Sequence, residues 1–242
     1  MHPSNIFLPG FSDYVAPSAV EGDPYFSSVV LLAPFSGADN STSFTEYKNN
    51  LLTTTGTTKI STAVSKFGSG SLLVGNSPVV VSGSANNAEF AFAGAFTWEL
   101  FAYFTSFTTA QTLLSKSDTS QLSVTREFAL TVNNSTTLSL YYGVRGSNQT
   151  VYNATVPAMP LNAWNHIAMT RDSSNLIKFF VNGVVSANTY TDSVPLSNTT
   201  NTLKIGSFTE TTNLITGRLE QVRLTNGVAR NIVVPTAPYP TS

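Results

Sequence analysis

An all-β fold of many short antiparallel strands, closed as a sandwich or a barrel, is predicted by three features of this sequence. Apolar residues recur with period two, as where Ile177, Phe179 and Val181 alternate with Leu176, Lys178 and Phe180. Clusters of Gly, Asn, Ser, Asp and Pro punctuate the chain at short intervals, and no window of a dozen residues carries a helical apolar stripe. Thr, Val and Phe are abundant, which agrees with strands on propensity. With 242 residues the chain buries one substantial core, and a single sandwich of this length is ordinary.

In chain order, β runs are expected at 29–35, 71–74, 78–82, 96–107, 111–116, 128–132 and 138–144. Each is apolar or alternating and bounded by turn residues. Trp164 to Arg171 is the next strand, with Trp164, His166, Ala168 and Thr170 on one face and Asn165, Ile167, Met169 and Arg171 on the other. The polar turn Asp172-Ser-Ser-Asn175 leads to 176–181, and Asn182-Gly183 supplies the positive φ angles of a type I′ hairpin turn. Runs at 203–205 and 217–224 complete the set. Trp164 is expected on an inner sheet face with a partner for its N–H, and Gly68 and Gly70 in KFGSGSL are expected to allow a close approach before a buried strand.

The ends differ from the middle. Residues 1–24 carry Pro3, Pro9, Pro17 and Pro24 among small polar residues, with Ile6, Phe7, Leu8 and Phe11 as apolar docking residues, a pattern that suits an extended arm. The domain proper is expected over 25–234, and 235–242 is a tail that Pro235, Pro238 and Pro240 bar from strand or helix.

Formal charge is −1 and only 10% of residues are charged, with the twelve Lys and Arg scattered. No electrostatic term favours nucleic acid, and no apolar run suits membrane insertion. Cysteine is absent, which excludes disulfides and thiolate metal sites. The first residues lack the pattern of a Sec signal, so cytoplasmic synthesis without a secretory route is expected. The Asn-x-Ser/Thr triplets at Asn40, Asn134, Asn148, Asn153 and Asn198 then follow from composition.

Six segments in order carry a family resemblance: DPYFSSVVLLAPFSGADNSTSFTEYKNN from Asp23, ISTAVSKFGSGSLLVGN from Ile60, FTWELFAYF from Phe96, LNAWNHIAMTRDSSNLIKFFVNGV from Leu161, TLKIGS from Thr202, and GRLEQVRLTNGVAR with its PTAPYP ending. Over nearly the whole chain the sequence resembles the laminin G-like, concanavalin A-like jelly-roll family, in the version recurring in bacteriophage structural proteins. The resemblance implies an antiparallel two-sheet jelly-roll sandwich with an N-terminal arm. It implies a virion surface role, as a capsid decoration or appendage protein that stabilises the particle. Its partners would be capsid or tail subunits and further copies of itself, a trimer by analogy with threefold lattice points. The alternative is a carbohydrate-binding adhesin of a tail or head fibre, with host glycan as ligand.

Site expectations follow. Within YYGVRGSNQTVYN, Tyr141, Tyr142, Arg145, Asn148 and Tyr152 combine aromatic platforms with amide and guanidinium donors, the chemistry of a saccharide site. No cofactor is required. The resemblance implies a structural Ca2+ near Asp39, Glu46 and Glu220; Glu stands at 220 where Asp is usual, and Lys48 adds a positive charge, so loop capping by these carboxylates is the preferred expectation. Catalysis is not expected, because the thirteen carboxylates are dispersed and Glu99 and Glu127 stand alone in their strands. His166, alone on its strand, is expected to be structural.

Overall fold

The computed structural model of the protein describes residues 22–118, 127–143, 149–196, 198 and 200–242. Its strands are β1 (Val29–Ala33), β2 (Leu51–Thr53), β3 (Lys59–Ser61), β4 (Ser71–Leu73), β5 (Val79–Ser82), β6 (Phe96–Phe104), β7 (Gln111–Lys116) and β8 (Phe128–Asn134). They continue with β9 (Thr137–Gly143), β10 (Gln149–Thr155), β11 (Trp164–Arg171), β12 (Leu176–Val181), β13 (Val184–Val185), β14 (Tyr190–Thr191), β15 (Leu203–Ile205) and β16 (Gly217–Asn226). All pairings are antiparallel, and the strands form a two-sheet jelly-roll sandwich.

One sheet has nine strands, in the order β13-β12-β11-β6-β16-β4-β3, with β1 on β16 and β14 on β12. The other has seven, in the order β10-β9-β8-β7-β15-β5-β2. Between them lies the apolar core. From the nine-stranded sheet come Phe96, Trp98, Leu100, Ala102 and Phe104 on β6, with Ile167 and Met169 on β11. Phe128, Leu130, Val132, Leu138 and Leu140 face them. Trp98 anchors an aromatic knot, its ring 4.8 Å from Phe96, 4.6 Å from Phe128 and 5.0 Å from Phe92. Such rings supply the largest apolar areas of any side chains, so this knot buries much apolar surface in the core.

Strand ends follow local chemistry. β1 stops at Ala33 and not at Phe35, because Pro34 has no N–H to donate and Phe35 takes φ 55°. β6 stops at Phe104 and not at Phe107: the chain turns at Ser106, and Phe107 folds back against Phe104, ring centres 4.9 Å apart. Asn182 and Gly183 both have positive φ, 50° and 79°, as the type I′ hairpin demands. At Gly70 a Cβ would lie 2.8 Å from Ile60 Cγ2, so the absent side chain allows the loop to close on β3.

The outer face of the nine-stranded sheet departs from expectation. Strand alternation turns His166 and Trp164 away from the core, so Trp164 is not on an inner face; half-buried, it packs edge-on against Tyr103 at 5.6 Å, and its Nε1 has no hydrogen-bond partner among the described residues. The segment after β16 crosses this face as a strap. Thr97 Oγ1 donates to Val228 O and accepts from Arg230 N, and farther on Tyr239 N donates to Gln221 Oε1. Tyr239 is 5% exposed and packs with Val29 and Leu32 in a second, small cluster. Beneath the strap lies a buried charged network: Arg223 donates to Glu99 and Asp23, Arg230 donates twice to Asp23, and Tyr239 OH donates to Glu99. No helix among the described residues is long and apolar enough to cross a membrane.

Candidate functional site

The outer face of the seven-stranded sheet presents a different surface. Direct cross-strand pairing aligns Thr53, Val80, Lys204, Ser115, Ala129, Tyr141 and Val151 in one row across all seven strands. Next along the strands, past a bulge in β7, Thr112, Thr131, Ser139 and Asn153 form a second row on the same face. Every member of that second row is a hydroxyl or an amide. Thr112, Thr131 and Ser139 are buried, Tyr141 is half-buried, and Asn153 is exposed at the edge.

Hydrogen bonds lock this row. Asn133 Nδ2 donates to Ser139 Oγ at 2.7 Å, and Ser139 Oγ donates to Asn153 Oδ1 at 2.6 Å. Tyr141 OH reaches Asn133 Oδ1 at 3.5 Å, and Thr112 and Thr131 share a bond of 3.1 Å. Asn153 is exposed, and its side-chain Oδ1 is held by Ser139. Behind it, Asn188 Nδ2 and Tyr190 OH both donate to the Asn153 carbonyl, at 2.8 and 2.5 Å, which fixes β10 at the sheet edge.

The expected saccharide residues divide between two faces. Tyr141 lies on the outer face, half-buried. Tyr142 points the other way and is 2% exposed, within the core. Tyr152 also faces inward. Its ring stacks on Tyr190 at 4.3 Å and its hydroxyl donates to Asp192 Oδ2 at 2.7 Å, closing the edge of the sandwich between the sheets. Burial pushes the Tyr152 hydroxyl above its ordinary pKa, although the charge of Arg171 pulls the other way. Arg145 and Asn148 lie outside the described residues, as do Ile6, Phe7, Leu8 and Phe11.

The three acids assigned to calcium do not converge, and the described residues hold no group of three or more metal-binding side chains. Asp39 is exposed and accepts from Thr62 N and Asn40 Nδ2. Glu46 accepts from the backbone amides of Leu32, Lys48 and Asn50. Glu220 accepts from those of Lys66, Phe67 and Gly68. Both glutamates thus clamp loops through backbone N–H groups. Burial raises the Glu220 carboxyl above its ordinary pKa, and these amides only partly offset it.

Glu99 and Glu127 do not stand alone in the structure. Glu127 pairs with buried Lys116 at 3.1 Å, and Lys116 also donates to Ser84 O and Asn198 Oδ1. Glu99 pairs with Arg223 at 2.7 Å and lies 3.6 Å from His166 Nε2. Its burial is offset by the His166 hydrogen bond and the Arg223 charge, which hold its carboxyl below the ordinary range. Buried at 3% exposure and covered by Tyr239, Glu99 has no face turned to a substrate. Asn133 and Ser139 are not singled out by the sequence, and Asn153 only as an Asn-x-Ser/Thr triplet, although strict alternation from Tyr141 along β9 finds Ser139.

A family model described as the concanavalin A-like lectin/glucanases superfamily matches residues 75–231. No curated protein matches the sequence. Among solved structures, the binding domain of Paraclostridial Mosquitocidal Protein 1 is similar with TM-score 0.63 and 12% identity, over 86% of this chain and 51% of that one. Domain 4 of AbnA, a GH43 extracellular arabinanase from Geobacillus stearothermophilus in complex with arabinotriose, gives 0.58 and 16%, over 84% and 96%. The Ruminococcus gnavus IT-sialidase CBM40 bound to alpha2,3 sialyllactose gives 0.53 and 16%, over 66% and 91%. At these identities the likeness is one of fold.

Proposed function

The chain belongs to the concanavalin A-like lectin and glucanase superfamily, and from that premise we propose that it is a non-catalytic saccharide-binding module working through the outer face of its seven-stranded sheet. The ladder Asn133–Ser139–Asn153 beside Tyr141 carries this reading. A sugar offers vicinal hydroxyls and an apolar C–H face, and it is recognised by a few fixed amides and hydroxyls next to an aromatic ring. Here the amides are held before any ligand arrives, so little side-chain entropy is lost on binding.

The neighbours support the reading by analogy, since the arabinanase domain and the CBM40 are each described with a saccharide. The virion setting rests on the resemblance alone; within it, the same module would serve as an adhesin on a tail or head appendage.

The test is a glycan array probed with the intact chain. Binding to a defined subset of glycans is expected, and its loss in Asn153→Ala and Tyr141→Ala with an unchanged melting temperature. An array without signal would remove the proposal.

A further inference from the structure

We propose that a second ligand site lies on the opposite face of the sandwich, in the groove between the β12–β13 hairpin and the strap, and that it takes an acidic saccharide unit whose ring bears a carboxylate. The groove has a volume of about 610 Å3, the size of pockets that hold small organic ligands. Thr170, Asp172, Lys178, Phe180, Val185 and Ile232 line it.

Strand alternation builds its floor. Ile177, Phe179 and Val181 are buried in the core, so Lys178 and Phe180 stand side by side on the outer face of β12. Thr170 is directly opposite Lys178, and Val185 is directly opposite Phe180. Phe180 is half-buried and Val185 exposed, with Ile232 of the strap across the gap. An aromatic ring between two aliphatic walls fits the C–H face of a pyranose.

The charges select the ligand. Arg230 also lines the groove, but its guanidinium is occupied by Asp23 and Thr225. Asp172 Oδ1 is taken by the amides of Ser174 and Leu176, which leaves Oδ2 to accept a hydroxyl. Lys178 makes no hydrogen bond or ion pair with any described residue. One unanswered ammonium calls for one negative charge, and Asp172 nearby disfavours a more highly charged group such as a phosphate dianion. A neutral sugar would leave Lys178 without a counter-charge. A ring with a single carboxylate satisfies the ammonium, the acceptor and the aromatic floor together.

The site is independent of the Asn133–Asn153 ladder, and its test is kept separate. Amide shifts of the intact chain are followed by NMR during titration with D-glucuronic acid, with D-glucose as neutral control and acetate as carboxylate control. Glucuronate is expected to shift Thr170, Lys178 and Phe180, and more strongly than either control. Lys178→Ala is expected to weaken binding about tenfold, Lys178→Arg to retain it, Phe180→Ala to weaken it, and Asn153→Ala to leave it unchanged. No shift at these residues would overturn the site. Equal response to glucose would overturn the role of charge, and equal response to acetate would overturn the saccharide.

Discussion

Asp23 and Arg230, separated by 207 positions, are joined by two hydrogen bonds of 2.8 and 2.7 Å. The pair fastens the entry of the sandwich to the strap that leaves its last strand. Asp23 N also donates to Ser242 O at 2.9 Å, so both ends of the described fold meet on one face. Arg223 completes the fastening: it bonds Asp23 and Glu99 and lies 3.7 Å from the centre of the Tyr239 ring. A strap with no ladder of its own is thereby held by charge pairs and one aromatic stack.

Replacing Arg223 with Met leaves Glu99 and Asp23 short of a cation in a site closed to water. Removing one partner of a buried ion network costs about 3 kcal/mol or more. Urea unfolding should register that loss. A change below about 0.5 kcal/mol, the scale of an exposed pair, would contradict the account of the strap.

Acid should release the same network. Burial raises the carboxyls of Asp23 and Glu99, but hydrogen bonds and nearby cations outweigh it, and both titrate below the ordinary range. A carboxyl lowered in the fold adds stability above its unfolded pKa, and that stability is lost as pH falls through the folded value. Glu220 is raised and acts in the opposite sense, gaining as pH falls. With two lowered groups in one network, unfolding free energy should fall from about pH 5 to about pH 3, and less steeply in Glu99→Gln. Equal slopes in the two proteins would contradict the assignment.

Glu220→Gln keeps one carbonyl oxygen where the carboxylate has two, so at least one of the amides of Lys66, Phe67 and Gly68 loses its acceptor. These donors are part-buried, so the cost stays below the about 1–3 kcal/mol of a fully buried unpaired donor. Faster hydrogen exchange at these three amides, with the rest of β16 unchanged, is the expected signature.

Calcium should leave the protein unchanged. The Glu46 and Glu220 carboxylates are engaged by backbone amides, so the melting temperature in calcium and in chelator should agree within about 1 °C, as expected when the folded state binds no more ion than the unfolded chain. A calcium-dependent rise of several degrees would contradict the clamp reading.

Local chemistry made most of the fold legible. The Asn182–Gly183 turn, the bounds of β7, β11, β12 and β15, and an all-β sandwich or barrel follow from alternation and turn residues read along the chain, whereas the jelly-roll class came from the family resemblance. β2, β3 and β14 were not expected, because runs of two or three residues such as Tyr190–Thr191 show no periodicity. β10 was not expected as a strand either, yet Gln149–Thr155 pairs with β9 throughout. The saccharide set does not share one face, for a physical reason present in the sequence: adjacent Tyr141 and Tyr142 on a strand must face opposite ways. The partners of Glu99, Glu127 and Glu220 were not legible, since residues such as Arg223 and Phe67 reach them only through tertiary structure.

The central claim is that saccharide binds over the Asn133–Ser139–Asn153 ladder, and mapping the amide shifts caused by the strongest neutral glycan of the array tests it most directly. The account predicts shifts concentrated on β8, β9 and β10 around Thr131, Ser139, Tyr141 and Asn153, abolished in Asn153→Ala. Shifts confined to any other surface, with Asn153→Ala binding as well as the parent chain, would contradict it.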